Sequence, residues 1–368
     1  MEGLKFQELG FGEKAKARAL SAALTFAKKL KKVGGPLGYG AEFLHPPASR
    51  DFNWNESFYF NFTDPSSKLG GWTRIGILPN QENDVGALMI YAGGSRILAY
   101  RSGGRTAIQG DELRLESLEY HRLEPLKKWR ILFRGDVADI DDSMKIPELS
   151  PDDLELKKVE VDLTFESMAP CFDFKNAHPR ALAEMIVQAG TRLEDLRQVA
   201  KVSSEHYEQA GRITGTIKIE DEIIPFDGSG HRDHSWGLRD WAAPRLWTWL
   251  SCQFGDELSF NLSRVAIASV DILNGYISRD GSNYALRRAA LETEFEDDGI
   301  TQKWLRFQME DSGGKTIEIT GDVMTVAPLQ LESEGHWTQV NEALTEYHYG
   351  NKVGYGIAEY LHQLGSRT

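Results

Sequence analysis

The 368-residue chain contains only two cysteines, Cys171 and Cys252, and no apolar run that approaches the length of a membrane span. A spanning helix needs about 20 apolar residues, so we expect no stable membrane insertion. Two cysteines in a chain of this length favour a reduced protein over a disulfide-stabilised one. The N-terminal residues MEGLKFQELGFGEK lack the apolar segment of a secretory signal. These absences predict a cytoplasmic protein.

Basic residues are also scarce, because 42 Lys and Arg stand against 55 Asp and Glu, for a formal net charge of −13. Binding to nucleic acid requires clustered Lys and Arg, so we expect no nucleic acid partner. The chain lacks G-x-S-x-G, Walker A, H-E-x-x-H and C-x-x-C motifs, and no G-x-G-x-x-G follows a strand. Serine hydrolysis, nucleotide-driven chemistry and nicotinamide redox chemistry lose support, and we predict no cofactor.

Short apolar or alternating segments make up most of the chain, and glycine-containing turn sequences separate them. This spacing is typical of an antiparallel sandwich or barrel. Two segments have helical periodicity instead, residues 13–33 and residues 178–200. We predict a mainly β chain of two lipocalin-like antiparallel β-barrel or sandwich domains: an N-terminal helical segment over 1–40, a first β domain over 41–205 with a helical insertion at 178–200, and a second β domain over 206–368.

One predicted strand, NWNESFYFNF at residues 53–62, has a carboxylate on an aromatic face. A period of two places Glu56 between Trp54 and Phe58, with Phe60 and Phe62 beyond. An ionised carboxylate buried there is costly unless it is paired. Glu56 is therefore a candidate general acid with a raised pKa, or the partner of Arg74 on the next strand, or a residue turned outward by a β-bulge.

The densest polar cluster is FDGSGHRDHSWGLRDW, residues 226–241. Gly228 and Gly230 would permit a turn with positive φ. Asp233 and His234 form a neighbourhood that can move a proton, and Arg239 can hold Asp240 or a developing anion. The structural alternative is a corner in which Arg–Asp pairs tie two strands together.

A metal site is a further alternative for this cluster. His231, Asp233 and His234 supply suitable ligand atoms, but their spacing is weak evidence without a third His or Cys nearby. We predict no metal.

Aromatic residues distributed over the chain would line an apolar ligand site. Tyr207 precedes a strand beside Glu208, and residues 341–360 carry Glu346, Tyr347 and Glu359. Each group has a structural alternative, either a hydrogen-bond network at a strand entry or closure of a sheet. The predicted substrate-binding residues are Trp54, Tyr59, Tyr207, Trp236, Trp247 and Tyr355.

The segments WNESFYFNF, GGWTRIGILPN, HYEQAGRITG, GHRDHSWGLRDW and GYGIAEY together resemble an uncharacterised bacterial family of paired domains. That family is similar to the tandem lipocalin-like superfamily of AttH-like proteins and carotenoid 1,2-hydratases (hydroxyneurosporene synthases). The resemblance covers most of the chain after residue 40, and DHSWG-x-RDW is its most specific part. It implies two barrel-like domains with an apolar cavity at or near their junction.

The resemblance also implies a type of chemistry. The hydratase relatives add water to isoprenoid double bonds by acid catalysis without a redox cofactor, and other relatives cyclise or rearrange polyketide and terpenoid skeletons. The hydratases' catalytic acid does not map onto one residue here. The positions that match the family are Glu56, Asp233, His234, Trp236, Arg239 and Asp240.

We therefore predict a cofactor-independent lyase or isomerase, of hydratase, dehydratase, cyclase or retro-aldol type, for a terpenoid, steroid-like or aromatic substrate. Asp233 would donate or accept the proton, His234 would orient Asp233 or relay the proton, and Glu56 would be a second acid. Arg239 would hold Asp240 or a substrate oxygen. The alternative is a non-catalytic carrier of an apolar ligand, and a third hypothesis is an interaction module. A homodimer is compatible with each.

Overall fold

The computed structural model describes residues 2–4, 9–30, 36–150, 152, 154–188, 190, 205–240, 243–267, 270–333 and 335–366. Within these residues the chain is mainly β. Two helices are present in the described residues, α1 (Phe11–Leu30) and α2 (Pro179–Gln188), with short 3-10 turns at Tyr39–Glu42, Ser143–Glu148 and Phe174–Asn176. No helix in this part of the chain combines the length and apolar character that crossing a membrane requires.

The strands are numbered in chain order. Those up to residue 173 are β1 (Glu2–Leu4), β2 (Trp54–Asp64), β3 (Leu69–Ile77), β4 (Asp84–Tyr91), β5 (Ile97–Gly104), β6 (Ala107–Gln109), β7 (Glu112–Leu115), β8 (Leu118–Glu124), β9 (Lys128–Ile140), β10 (Glu155–Ser167) and β11 (Phe172–Asp173). The later strands are β12 (Glu205–Ile219), β13 (Glu222–Leu238), β14 (Leu246–Phe254), β15 (Leu258–Ile267), β16 (Val270–Arg279), β17 (Ser282–Phe295), β18 (Gln302–Asp311), β19 (Thr316–Ser333), β20 (His336–Tyr349) and β21 (Lys352–Ser366).

The first sheet runs β10-β12-β13-β2-β3-β4-β5-β9, and β9 also pairs with β10, so these eight antiparallel strands return on themselves. We call them the first barrel. Strands β8, β7 and β6 extend the sheet beyond β9, and β11 pairs with β12. Because side chains alternate between faces, every second residue of β2 points inward, and Phe58, Phe60 and Phe62 are buried in the core of this barrel.

The second sheet is a closed barrel of eight strands, β14 to β21, in which β17 pairs with both β16 and β18. We call it the second barrel. Strand β1 adds to its outside at β17. Leu250, Leu262 and Phe307 are among the side chains that fill its interior. The predicted mainly β fold with lipocalin-like barrels is confirmed.

The two barrels pack through the outward faces of a few strands. Tyr59, Trp72 and Tyr91 of the first barrel form one buried cluster with Trp249 and Ile357 of the second. Burial of apolar surface contributes roughly 25 cal/mol per Å², so this aromatic contact stabilises the pair of barrels against each other. It also places the outer faces of β2 and β13 opposite β14 and β21.

Several expected boundaries differ from the observed ones. Strands β12 and β13 belong to the first barrel, so the division between sheets falls between Leu238 and Leu246 rather than near residue 205. The helix expected over 178–200 is α2, which ends at Gln188, and residues 189 and 191–200 lie outside the described residues. The helix expected over 13–33 begins at Phe11, and residues 31–33 also lie outside them.

The segment 226–241 is a strand through Leu238 and not a turn. Gly228 and Gly230 lie within β13, and neither has a positive φ. A Cβ at Gly228 would lie 2.0 Å from the Thr63 carbonyl oxygen, and one at Gly230 would lie 2.0 Å from that of Asn61. These glycines therefore permit close approach of the β2 backbone rather than a change of chain direction.

Candidate functional site

Two neighbouring strands of the first barrel present polar side chains on both faces of the sheet. Tyr207 pairs with His234 and Glu208 pairs with Asp233 across β12 and β13. Successive residues of a strand point to opposite faces. As a result, Tyr207 and His234 lie on the inner face, whereas Glu208 and Asp233 face the second barrel.

The inner cluster consists of His45, Glu56, Tyr207 and His234. The Glu56 carboxylate is 2% exposed. Its Oε1 lies 2.8 Å from His234 Nε2 and 2.9 Å from His45 Nδ1, and its Oε2 accepts the His45 backbone N–H at 2.9 Å. Tyr207 Oη lies 3.2 Å from His234 Nδ1. The carboxylate on the aromatic face is thus paired with two imidazoles.

This pairing determines the protonation of the inner cluster. Burial alone would raise the pKa of Glu56, but hydrogen bonds from His234 and His45 lower it below the ordinary value. Burial lowers the pKa of His234, which Glu56 only partly opposes. A neutral His234 must donate from Nε2 to the ionised Glu56, so its Nδ1 accepts from Tyr207. Arg74, the alternative partner of Glu56, donates instead to Ser57 Oγ at 2.9 Å.

The outer face of the same strands carries a second group. His206 Nε2 lies 3.1 Å from Asp233 Oδ2 and 3.2 Å from Glu208 Oε1. Trp249 Nε1 of the second barrel donates to Glu208 Oε1 at 2.7 Å. Burial raises the pKa of Glu208. For Asp233 the effect of burial is outweighed by His206 and Arg239, which lower its pKa.

The second barrel adds a pair of carboxyl groups to this face. Glu342 and Glu359 are directly opposite each other on β20 and β21. Burial raises the pKa of Glu359 to about 7, and burial together with the Glu359 charge raises the pKa of Glu342 well above its ordinary value. Two negative charges on residues directly opposite each other cannot both persist in a buried site, so the pair holds at least one proton near neutral pH.

Arginine side chains lie between these carboxyl groups. Arg239 donates to Ser235 Oγ at 2.8 Å, and its guanidinium lies 6.0 Å from the Trp247 ring centroid. The charges of Arg239 and Arg74 lower the pKa of Glu359, whereas Asp233 raises it. The two barrels therefore contribute to one electrostatic unit. We call it the junction cluster: Arg74, His206, Glu208, Asp233, Arg239, Glu342 and Glu359.

Solvent reaches part of the junction cluster. Asp233 and His206 lie deep in the protein, yet their side chains keep 19% and 17% of their surface exposed. Arg74, Arg239 and Glu359 are also only partly buried. Buried aromatic rings lie in the same contact between the barrels, as in the edge-to-face pair of Tyr59 and Trp249, whose centroids are 5.9 Å apart. Charged groups and aromatic rings thus meet where the barrels join.

Comparison with known proteins begins with a family model. The model described as "Domain of unknown function (DUF7064)" matches residues 40–364. The chain belongs to the DUF7064 family. None of the curated proteins compared matches this DUF7064 chain.

Solved structures share the fold of the DUF7064 chain. The AttH-type protein NE1406 from Nitrosomonas europaea is 13% identical, with a TM-score of 0.54 over 89% of this chain and 99% of that chain. CghA with Sch210972 is 11% identical, with a TM-score of 0.51 over 89% and 95%. Kievitone hydratase from Nectria haematococca is 12% identical, with a TM-score of 0.50 over 89% and 96%. The expected fold, shared with AttH-like and hydratase-like proteins, is confirmed.

The DUF7064 fold divides the predicted site residues between two faces of one sheet. Asp233, Arg239, Tyr59 and Trp247 lie at the junction. The inner face of the first barrel carries Glu56, His234, Tyr207 and Trp236, the last of which stacks on His45 with centroids 3.8 Å apart. Trp54 is the first residue of β2 and shares a face of that strand with Glu56. Asp240 lies after the end of β13. The Tyr355 hydroxyl donates a hydrogen bond to Glu346.

The junction contains residues that the sequence analysis did not assign to a site. His206 and Glu342 were not singled out, and Arg74 appeared only as a partner of Glu56. The sequence does contain a pattern that could have identified Glu342. Every second residue of β20 points to the same face, and this places Glu342 and Glu346 on one face with the apolar Val340 and Leu344. The metal alternative of His231, Asp233 and His234 does not converge, since His234 faces away from the other two.

The charge of His206 predicts a pH dependence of stability. Burial alone would lower its pKa, but Asp233 and Glu208 raise the pKa to about 9, above the ordinary 6.5. The resulting stabilisation is complete below pH 6.5 and is lost as pH rises through about 9. We expect the free energy of unfolding, measured in urea across this window, to fall more steeply for the wild type than for His206→Gln. An equal pH dependence of the free energy of unfolding in the two proteins would contradict the raised pKa of His206.

Proposed function

We propose that this chain is a cofactor-independent lyase or isomerase that transfers a proton to a hydrophobic small molecule between the two barrels. One observation carries the proposal: carboxyl groups with opposite protonation come together where the barrels meet, since the charge of Asp233 raises the pKa of Glu359. Asp233 of the first barrel is ionised, and the Glu342–Glu359 pair of the second barrel holds a proton. General acid–base catalysis requires such a division of roles. The fold shared with a protein named as a hydratase supports it.

In the hydration direction, Glu359 gives its proton to one carbon of a double bond. The adjacent carbon becomes electron-deficient and forms a bond with the oxygen of a water molecule. That water passes a proton to Asp233, so the net change is addition of H and OH. Proton return from Asp233 to the glutamate pair restores the starting state, and the reverse sequence is dehydration. Without water, an internal nucleophile gives cyclisation, and proton loss gives isomerisation.

The surrounding side chains suit a hydrophobic substrate that carries an oxygen atom. The rings of Tyr59, Trp247 and Trp249 can stabilise a developing carbocation, an interaction of about 0.5–2 kcal/mol. Arg74 and Arg239 are placed to bind a carbonyl or phenolate oxygen. His206, as an imidazolium, holds Asp233 in its ionised form. Two free thiols, Cys171 and Cys252, fit a reducing cytoplasmic location.

A carrier of apolar ligands would need the same space but none of these titratable groups. Burying two adjacent carboxyl groups costs folding free energy, and binding an apolar ligand does not require such groups. The clustering of Glu342 and Glu359 opposite Asp233 therefore favours the enzyme over the carrier.

Deuterium incorporation tests the proposal without a known substrate. We would incubate the protein in deuterium oxide with a panel of isoprenoid alcohols, prenylated phenols and sterols, and follow the products by mass spectrometry. Protonation at carbon leaves deuterium in a product or in recovered substrate. We expect incorporation with at least one class and none with Glu359→Gln. Unchanged deuterium incorporation by Glu359→Gln would show that Glu359 is not the general acid.

The glutamate pair also predicts the pH profile. Glu359 must be protonated to act as an acid, and its pKa is raised to about 7. We expect kcat/KM for deuterium incorporation to fall as pH rises through about 7. The hydrogen bond from Glu342 lowers the pKa of Glu359, so Glu342→Leu, which removes this bond, should move the alkaline limb to higher pH. An unchanged alkaline limb in Glu342→Leu would show that Glu342 does not influence the titration of Glu359.

A further inference from the structure

The inner cluster has a second property, which the reaction proposed at the junction does not use. His45 Nδ1, Glu56 Oε1 and His234 Nε2 lie within 4.8 Å of one another. The two imidazole nitrogens are 2.9 and 2.8 Å from the same carboxylate oxygen. Metal–nitrogen and metal–oxygen bonds of about 2.0–2.2 Å place neighbouring ligand atoms roughly this far apart.

We propose that His45, Glu56 and His234 form a binding site for a divalent transition metal ion of the Zn²⁺ or Fe²⁺ class. Two imidazoles and one carboxylate are a ligand set that such ions use, with open positions for water. The three ligands come from different places in the fold. Glu56 and His234 lie on the adjacent strands β2 and β13, and His45 lies in the segment before β2. The barrel therefore holds two ligands rigidly, and the segment closes the third over them.

The surroundings orient these ligands as outer-shell groups do in metal sites. Tyr207 Oη contacts His234 Nδ1, the nitrogen opposite the ligating one, and such contacts fix the tautomer of a ligating histidine. The backbone N–H of His45 donates to Glu56 Oε2, which leaves Oε1 directed at both rings. Phe58 stacks on the His234 ring with centroids 4.1 Å apart. Each ligand is thus held by a contact other than the metal.

Metal binding would change the tautomers and not the charge of the histidines. In the metal-free cluster both ring N–H groups point at Glu56. With the ion bound, the proton of each ring moves to its other nitrogen, so that His234 Nδ1 donates to Tyr207 Oη. Coordination requires neutral rings. His45 keeps 23% of its side chain exposed, which gives the ion a path of entry.

The outer face offers a second group of ligand atoms, in His206, Glu208 and Asp233. It is the poorer site, because the two carboxylates raise the pKa of His206 to about 9 and a protonated imidazole cannot coordinate a metal. This group, on β12 and β13, is therefore the matched control for the proposed site.

The test is metal binding by the untagged full-length protein. After dialysis against Zn²⁺ or Co²⁺ and then against buffer, we expect about one ion per chain by elemental analysis, with the visible bands of Co²⁺ bound to nitrogen ligands. His45→Gln changes the most exposed ligand and should abolish retention. Tyr207→Phe should weaken binding about 10–100-fold, as loss of outer-shell partners does. His206→Gln should bind like the wild type.

Stability provides the second measurement. Zn²⁺ should raise the melting temperature of the wild type and of His206→Gln but not that of His45→Gln. Retention of no ion by the wild type would overturn the proposal, as would equal retention by His45→Gln. Loss of binding in His206→Gln alone would move the site to the outer face. These readouts do not depend on activity, so they stand whether or not the proposed reaction is found.

Discussion

Asp233→Asn is expected to reduce turnover by about 100- to 10,000-fold, the range attributed to a positioned acid–base group. The substitution preserves the shape of the side chain but removes the negative charge that His206 and Arg239 stabilise. Without it, water has no acceptor for its proton as the new bond forms. The measurement is the rate of deuterium incorporation, compared with the wild type at the same pH.

Asp227→Asn is the matched control, since Asp227 lies on the same strand but pairs with Arg212 on the surface. We expect full activity from it and unchanged circular dichroism from both variants. Asp233→Asn with wild-type turnover would remove Asp233 from the mechanism. Equal losses in Asp227→Asn would indicate a general effect on β13 instead.

The largest effect on stability is expected at a buried ion pair inside the first barrel. Arg232 donates to both oxygens of Glu42, at 2.7 and 3.1 Å, and neither side chain is more than 1% exposed. Trp129 Nε1 and the Leu126 backbone N–H donate to the same carboxylate. Arg232→Met leaves this carboxylate buried without its counter-charge. We expect the free energy of unfolding to fall by about 3–5 kcal/mol.

Urea denaturation followed by circular dichroism measures this loss. The double variant Glu42→Gln/Arg232→Met removes both charges and should recover part of the stability, because the cost comes from the uncompensated charge and not from the missing contact. Arg212→Met breaks an exposed pair on the neighbouring strand and should cause no measurable change. An Arg232→Met variant as stable as Arg212→Met would show that the buried pair is not needed.

Periodicity was sufficient for much of the fold. The alternation in β2 correctly places Glu56 inward with Phe58 and Phe60, because a closed barrel buries one face of each strand. The same reasoning could not identify His45 as the partner of Glu56. His45 lies in an irregular segment whose path depends on the completed barrel, and its contact with His234 joins residues far apart in the chain.

The candidate site was harder to predict than the fold for the same reason. The DHSWG-x-RDW motif correctly identifies β13 as a strand that carries site residues. It does not show that Asp233 and His234 point to opposite faces of the sheet. The junction also needs Glu342 and Glu359, which come from the second barrel. No local pattern states that β20 and β21 would lie opposite β13. Turn expectations failed at Gly228 and Gly230 because close strand packing requires glycine as strictly as a turn does.

The close packing of Gly228 and Gly230 against the β2 carbonyl groups has a consequence for how such a chain can diverge. One residue inserted between Gly230 and Asp233 would exchange the faces to which the following side chains point. The imidazole of His234 would then face the second barrel, and the carboxylate of Asp233 would point into the first barrel. Both sets of groups would be lost in a single event. Homologous sequences with working sites should therefore conserve the length of this strand.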